Sequence, residues 1–175
     1  MAQATLELAQ YIRDIPDFPK KGVIFKDITP LLRDKKAFQE TIHWITAPYQ
    51  KSSIDIVVGV ESSGFVFASA AALQLGAGFI PVRKPGKLPW KTIEASYELE
   101  YGIDKLQIHQ DSIQKDQKVL IVDDVLATGG TASATLDLVK RSGGNIIEVV
   151  FVIELTFLKG IDKIKEYPCR SLIQY

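Results

Sequence analysis

The residues best suited to chemistry are two adjacent carboxylates, Asp123 and Asp124, which stand just before a turn of small residues. The turn reads Ala127-Thr128-Gly129-Gly130-Thr131. Backbone N–H groups, hydroxyls and a helix N-terminus in such a turn can bind a phosphate dianion. Two acids close to a bound phosphate suit the neighbouring hydroxyls of a sugar phosphate, held directly or through a divalent metal. The turn is neither a nucleotide P-loop nor a dinucleotide fingerprint, because no lysine follows Gly130 and no G-x-G-x-x-G occurs.

These groups need a strand before them and a helix after them. Residues 118–122 form an apolar run typical of a strand covered on both faces, and residues 131–141 carry a helical apolar stripe. Another strand–helix–strand unit is predicted over residues 54–82. Two such units predict the α/β class, with a mostly parallel central sheet flanked by helices. Ligands bind at the carboxyl ends of parallel strands, which is where both acids are expected.

Other segments have weaker signals. Residues 38–49 are predicted to form an amphipathic helix, and residues 15–22, with two prolines and a glycine, are predicted to be irregular. Residues 84–100 are expected to form a long mobile loop, and a loop of that length is often a lid. The length of 175 residues fits a single domain.

Composition excludes several classes of protein. Lys plus Arg number 21 and Asp plus Glu number 21, so the formal net charge is zero, and we expect neither a nucleic-acid partner nor an anionic membrane surface. The single cysteine, Cys169, excludes an intramolecular disulfide and a zinc site of several thiolates. No apolar run is long enough to span a bilayer, and the N-terminal residues lack the apolar core of a signal peptide. A cytoplasmic location is therefore expected.

The stretch 119–131 resembles the phosphoribosyl-diphosphate motif of the type I phosphoribosyltransferases. Nearly the whole chain then resembles the adenine-specific branch of that family, with matching blocks in matching order at residues 17–19, 22–32, 83–89, 97–102 and 154–160. The resemblance implies transfer of 5-phosphoribosyl from phosphoribosyl diphosphate to N9 of adenine, giving AMP and diphosphate in purine salvage. It also implies Mg²⁺ as cofactor, a homodimer, and a hood formed by about residues 1–35 and the C-terminal part.

The resemblance also assigns roles around the ribose. Residues 127–131 would bind the 5′-phosphate, while Asp123 and Asp124 would hold the 2′ and 3′ hydroxyls. Breaking the glycosyl bond builds an oxocarbenium-like centre, which negative groups beneath it would stabilise. Mg²⁺ would neutralise the leaving diphosphate, bound through the substrate and bridged by water to the two acids rather than ligated directly.

The base would lie in the hood. The resemblance places adenine between Phe25 and Leu158, with backbone atoms of Ile24 and Lys26 reading its edge. Glu100 and Tyr101 match residues that close over the base. Glu100 would exchange a proton with the purine as N9 becomes a nucleophile.

The diphosphate site contains one departure from the family pattern. The residues that the resemblance assigns to it are Ser62, Ser63, Arg83, Lys84 and Lys87. Ser63 stands where the family usually has an arginine, and serine cannot replace a bidentate guanidinium. Backbone amides at 62–64 or a nearby lysine would have to compensate. We predict a raised KM for phosphoribosyl diphosphate with activity retained.

Two other functions remain open on the sequence alone. One is a phosphoribosyltransferase for another purine, although enzymes that act on 6-oxopurines lack the blocks at 22–32 and 154–160. The other is a non-catalytic regulator that binds phosphoribosyl diphosphate, which Ser63 favours. Such regulators commonly carry an added DNA-binding domain and a basic excess, and neither is expected here.

Overall fold

The computed structural model describes residues 8–49, 54–98 and 102–175. The strands in this part of the chain are β1 Arg13–Pro16, β2 Ile24–Asp27, β3 Ile56–Val60, β4 Gly78–Val82, β5 Thr92–Glu98, β6 Ile103–His109, β7 Lys118–Leu126, β8 Asn145–Glu154 and β9 Cys169–Gln174. The helices are α1 Thr29–Arg33, α2 Lys35–Thr46, α3 Gly64–Leu75 and α4 Gly130–Arg141. Short 3₁₀ turns lie at Ala47–Tyr49, Thr156–Leu158 and Gly160–Lys163.

A five-stranded parallel sheet forms the centre, in the order β4-β3-β7-β8-β9. Its strands are apolar because both faces are covered. Along β7, Leu120 and Val122 pack with α2 and α3 residues, whereas Val119 and Ile121 pack with α4 and the β5–β6 pair. Alternate side chains thus fill two separate cores. The predicted α/β class with a mostly parallel sheet is confirmed.

The helices that flank the sheet have clear local causes. Asp34 caps α2, because its carboxylate accepts hydrogen bonds from the N–H groups of Lys36 and Ala37. The alanine-rich α3 packs very closely on β3, and a Cβ at Gly59 would overlap Ala68. None of the described helices has both the length and the apolar character needed to cross a bilayer.

Two small antiparallel pairs, β1–β2 and β5–β6, lie outside the central sheet in the described part of the chain. The prediction that residues 15–22 are irregular is wrong at its start, since Arg13–Pro16 pairs with Ile24–Asp27. Pro16 is tolerated because it ends a short edge strand. The loop expected over residues 84–100 is shorter, because residues 92–98 form β5 and pair with β6. The acids Asp123 and Asp124 lie inside β7 rather than after it.

Candidate active site

The turn from β7 to α4 forms a small cradle at the carboxyl end of the sheet. Residues 125–132 line a cavity of about 60 Å³ there. Gly129 has φ +77°, a left-handed conformation that glycine adopts without strain, and α4 begins at the next residue. The positive end of the α4 dipole therefore faces the cavity together with the hydroxyl-bearing Thr128 and Thr131. Residues 127–131, which the sequence predicted as a phosphate cradle, line this cavity.

Gly160 supports this cradle from behind. A Cβ built on Gly160 would overlap the carbonyl oxygen of Ala127 and would lie 2.9 Å from the backbone nitrogen of Gly129. A Cβ on Gly129 would in turn overlap the carbonyl oxygen of Gly160. Two backbone segments therefore touch with no side chain between them, and this contact fixes the shape of the turn.

The two acids lie together beside the cradle. The N–H group of Asp124 donates to Oδ1 of Asp123 at 3.0 Å. Asp123 is buried, and a Cβ on Gly64 at the start of α3 would overlap its Oδ1, whereas Asp124 is half-buried. Burial, followed by the negative charge of Asp124, raises the pKa of Asp123 well above its ordinary value. The geometry gives the pair unequal environments, with Asp124 the more accessible carboxylate.

Two of the three cations that the sequence assigned to diphosphate, Arg83 and Lys84, are paired with carboxylates. Nε and Nη2 of Arg83 each lie 3.0 Å from Oε2 of Glu61, and Nζ of Lys84 lies 3.0 Å from Oδ2 of Asp104. Burial opposes ionisation of Glu61, but hydrogen bonds from the Lys84 N–H group and from Arg83 lower its pKa overall. Lys87 is exposed, and its carbonyl accepts from Nη1 of Arg83 at 3.3 Å. Arg83 therefore connects Glu61 to the backbone of Lys87.

Ser62 and Ser63 lie at the edge between this basic segment and α3. Ser63 is the residue before α3, and its side chain makes no capping hydrogen bond. The guanidinium carbon of Arg83 lies 5.9 Å from the centre of the Phe65 ring, in the first turn of the same helix. Arg83 thus lies near the first turn of α3, which Ser63 precedes.

Tyr97 links the basic segment to the cradle. Its hydroxyl donates to Oδ2 of Asp104 at 3.2 Å, the same atom that binds Lys84, and the side chain of Thr131 lies near enough to lower its pKa. Burial raises the pKa of Tyr97, so the phenol remains a donor at neutral pH. The Tyr97 hydroxyl therefore lies between Asp104, the partner of Lys84, and Thr131 of the cradle.

We expect Tyr97→Phe to raise the KM for phosphoribosyl diphosphate about three- to tenfold, the effect of losing about one hydrogen bond. Steady-state kinetics would measure it, and kcat should change less than KM. Tyr49→Phe is the matched control, because the Tyr49 hydroxyl bonds Glu148 at the opposite end of the sheet. An unchanged KM in Tyr97→Phe would show that the link is not used in binding.

The residues assigned to the base form an exposed apolar group. Ile24, Phe25 and Leu158 are 56%, 44% and 40% exposed, and the Phe25 ring meets the edge of Phe18 at a centroid distance of 5.2 Å. Large apolar side chains that remain exposed are typical of a binding surface. The Lys26 side chain is bonded to Asp14 at 2.7 Å. The side chain of Lys26 is thus engaged elsewhere, which suits the predicted backbone role.

Some predicted residues are not placed, and some contacts were not anticipated. Glu100 and Tyr101 lie outside the described residues. Sequence reasoning assigned no role to Glu61, Tyr97, Asp104 or Gly160. Tyr97 and Gly160 lie within the blocks that match the family, and Glu61 lies in the segment E-S-S-G-F. The sequence shows these residues, but it does not show which distant residues they contact.

Comparison with known proteins decides the family. The model of the phosphoribosyl transferase domain matches residues 27–172. The adenine phosphoribosyltransferase of Christiangramia forsetii is 55% identical over 170 residues, which is 97% of this chain and 99% of that protein. The chain belongs to the adenine phosphoribosyltransferase family. The family resemblance predicted from the sequence is therefore confirmed, and the chain is a pentosyl-transferring glycosyltransferase.

Solved structures of adenine phosphoribosyltransferases have the same fold. The crystal structure of the enzyme from Thermoanaerobacter pseudethanolicus matches with a TM-score of 0.94 at 48% identity, covering 98% of this chain and 99% of that one. The Saccharomyces cerevisiae enzyme matches with a TM-score of 0.92 at 41% identity, covering 98% and 99%. That enzyme is complexed with D-2,5-dideoxy-2,5-imino-altritol 1,6-bisphosphate and adenine.

Proposed function

We propose that the protein transfers 5-phosphoribosyl from phosphoribosyl diphosphate to adenine, giving AMP and diphosphate in purine salvage. The observation that carries this proposal is the phosphate cradle at residues 127–131, which adjoins Asp123 and Asp124 at the carboxyl end of β7 in a chain of this family. A cradle alone would bind many phosphates. The carboxylates beside it add recognition of the ribose hydroxyls and stabilise positive charge on the ring.

The chemistry follows from the positions of these groups. As the bond to diphosphate breaks, positive charge develops at the anomeric carbon, and preorganised carboxylates lower the energy of that state. Asp124, the half-buried acid, is the better placed of the two to touch the ribose. Asp123 supports it, because its Oδ1 accepts the Asp124 N–H group.

Mg²⁺ is part of the proposal as an ion carried by the substrate. Among residues 8–49, 54–98 and 102–175, no three or more His, Cys, Asp or Glu side chains form a cluster that would hold a metal. A pair of carboxylates beside a diphosphate fits Mg²⁺, which keeps several waters and binds through one or two carboxylates plus phosphate oxygens. When bound, the ion would neutralise the leaving diphosphate. Asp123 and Asp124 would contact it through water.

The remaining roles complete the site. Ser62, Ser63, Arg83, Lys84 and Lys87 would surround the diphosphate. Adenine would lie between Phe25 and Leu158, against backbone atoms of Ile24 and Lys26. Glu100 would exchange the proton of the purine, and Tyr101 would close over it, with the hood formed by about residues 1–35 and the C-terminal part.

A base panel tests the function. Purified protein is incubated with Mg²⁺, phosphoribosyl diphosphate and one of adenine, hypoxanthine, guanine or xanthine, and nucleotide formation is assayed. We expect product from adenine alone. Product from another base would identify a different purine enzyme, and saturable binding of phosphoribosyl diphosphate without any product would identify a regulator.

Ser63→Arg tests the departure from the family pattern. A guanidinium there adds bidentate contacts to diphosphate, so we expect the KM for phosphoribosyl diphosphate to fall about tenfold while the KM for adenine stays constant. Ser63→Lys is the matched control, since it adds the charge without the planar fork. A KM for phosphoribosyl diphosphate that is the same in Ser63→Arg and wild type would contradict this prediction.

We also propose that the protein is a cytoplasmic homodimer. The exposed apolar residues Val66 and Leu73 lie seven positions apart, on one face of α3, which supports a subunit contact there. Sedimentation equilibrium would test the dimer, and a monomer mass would overturn it. The single cysteine supports the cytoplasmic location, which cell fractionation would test.

A further inference from the structure

We propose that Tyr175 is a positioning residue that holds the two walls of the base site at the correct distance. One wall is β2, which carries Phe25, and the other is the turn Thr156–Leu158, which carries Leu158. Tyr175 contacts both through different parts of the residue. The inference rests on the proposed use of Phe25 and Leu158 as contacts to adenine.

The ring of Tyr175 supports the first wall. Nζ of Lys26 lies 3.7 Å from the centre of the ring, a cation–π contact. The same Nζ bonds Oδ1 of Asp14, the cross-strand partner of Lys26 in the β1–β2 pair. Successive side chains of a strand point to opposite faces, so this contact lies on the face of β2 opposite Phe25. Tyr175 therefore contacts β2 on the face opposite Phe25, and the Phe25 face stays accessible to a base.

The backbone of Tyr175 supports the second wall. Its carbonyl oxygen accepts two hydrogen bonds from Thr156, from the N–H group at 2.9 Å and from Oγ1 at 2.6 Å. Its own N–H group donates to the carbonyl of Glu154, which extends the pairing of β9 with β8. The turn that carries Leu158 is thus hydrogen-bonded to Tyr175, whose ring contacts Lys26.

The side chain of Tyr175 packs against the core, so its contact with Lys26 holds β2 at a set distance from the core. It is half-buried and packs against the core that lies between the sheet and α2 and α3. Burial, followed by the charge of Asp14, raises the pKa of its phenol, so the ring stays neutral. The β1–β2 pair is small and its residues are largely exposed, so few other contacts would hold Phe25 at a set distance from Leu158.

Substitution of Tyr175 separates this role from a general structural one. Tyr175→Leu removes the ring, and we expect the KM for adenine to rise about tenfold, within the range measured for loss of a partly buried cation–π contact. The KM for phosphoribosyl diphosphate should stay within about twofold, because the variant keeps the main-chain bonds to Thr156 that hold the turn leading to Gly160 and the cradle. Tyr175→Phe retains the ring and should restore the KM for adenine to near its original value.

Two further variants test whether the rise in the KM for adenine comes from loss of the Lys26–Tyr175 contact. Lys26→Met removes the cation, and the double variant Lys26→Met/Tyr175→Leu should raise the KM for adenine no more than Tyr175→Leu alone. Tyr49→Leu is the control for lost stability, since Tyr49 is buried at the opposite end of the sheet. It should lower Tm without changing the KM for adenine.

The outcomes also separate this inference from the proposed function. If the wild-type protein forms no AMP from adenine, the proposed function is wrong. If the wild type forms AMP but Tyr175→Leu has the wild-type KM for adenine, the positioning role is wrong. Equal rises in the KM for both substrates would likewise overturn it, because they would report a loss of structure throughout the site.

Discussion

Asp124→Asn is expected to lower kcat by about 10²–10³-fold, the typical cost of removing one preorganised group that stabilises transition-state charge. Asparagine keeps the size of the side chain but removes the negative charge that, on the proposed function, would face the developing oxocarbenium centre. The KM for phosphoribosyl diphosphate should change much less, because residues 127–131 would bind the 5′-phosphate. Steady-state and single-turnover kinetics with adenine would measure the split.

Asp123→Asn is expected to lower kcat as well but to raise stability at neutral pH. Burial and the neighbouring Asp124 charge raise the pKa of Asp123 above its ordinary value of 3.8, so the folded state binds the proton more tightly than the unfolded state. That contribution to stability is complete below the ordinary pKa and is lost as pH rises through the folded-state pKa. Asparagine is always neutral and can still accept the Asp124 N–H group.

Thermal unfolding from pH 4 to pH 8 would test the predicted direction of the change in stability with pH. Asp123→Asn should gain in Tm over wild type as pH rises, and a gain of about 1 kcal/mol corresponds to about 2–4 °C in a chain of this size. Asp137→Asn is the matched control, since Asp137 pairs with Arg141 on the exposed side of α4. It should change neither kcat nor the pH dependence. A Tm difference between Asp123→Asn and wild type that is the same at every pH would contradict the assignment.

Asp123 is an acid in the buried part of β7, where burial opposes its ionisation. Residues 118–122 predict a strand because four of the five side chains are apolar, and the prediction is confirmed, with residues 119–122 buried and Lys118 exposed. The strand continues through Asp123 and Asp124 to Leu126, which an apolar pattern cannot show. The sheet therefore accepts two acids at its carboxyl end, and the free energy that this costs is consistent with a functional site.

Elements that carry no buried apolar run were harder to predict. β1 and β2 are short and mostly exposed, and they are joined by cross-strand pairs such as Asp14 with Lys26 rather than by a core. β9 was also not anticipated, because Cys169–Gln174 mixes polar and apolar residues and becomes a strand by pairing with β8. In both cases tertiary contacts, not local propensity, determine the structure.

In the candidate site too, some features could be predicted from the sequence and others could not. Its residue types were visible in the sequence because glycines, threonines and paired acids stand next to one another. Contacts between distant segments were not, such as Arg83 with Glu61, 22 residues apart, or Lys84 with Asp104. These pairs add carboxylate partners for Arg83 and Lys84 to the segment that is predicted to be a mobile loop. Diphosphate would therefore meet a preorganised surface at Arg83 and Lys84.

Gly160→Ala is expected to raise the KM for phosphoribosyl diphosphate at least tenfold and to lower kcat/KM by about 10²-fold. The added methyl group would overlap the carbonyl oxygen of Ala127 and crowd the nitrogen of Gly129, so the turn must move into the space meant for the 5′-phosphate. The carbonyl oxygen of Ala127 and the nitrogen of Gly129 are backbone atoms, so they cannot move aside by a side-chain rotation. A misplacement of about 1 Å at a reacting group is enough for an effect of this size.

Calorimetry with AMP would separate phosphate binding from the chemical step in this variant. We expect its affinity for AMP to fall in parallel with the rise in KM, because the 5′-phosphate is common to AMP and phosphoribosyl diphosphate. Gly76→Ala is the matched control: Gly76 has φ +67° at the end of α3 and no neighbour within 4 Å of an added Cβ. It should lose about 1 kcal/mol of stability from backbone strain and keep its KM values. If Gly160→Ala behaves like Gly76→Ala, with lower stability but normal AMP binding, the contact of Gly160 with the turn supports only the fold and not the cradle.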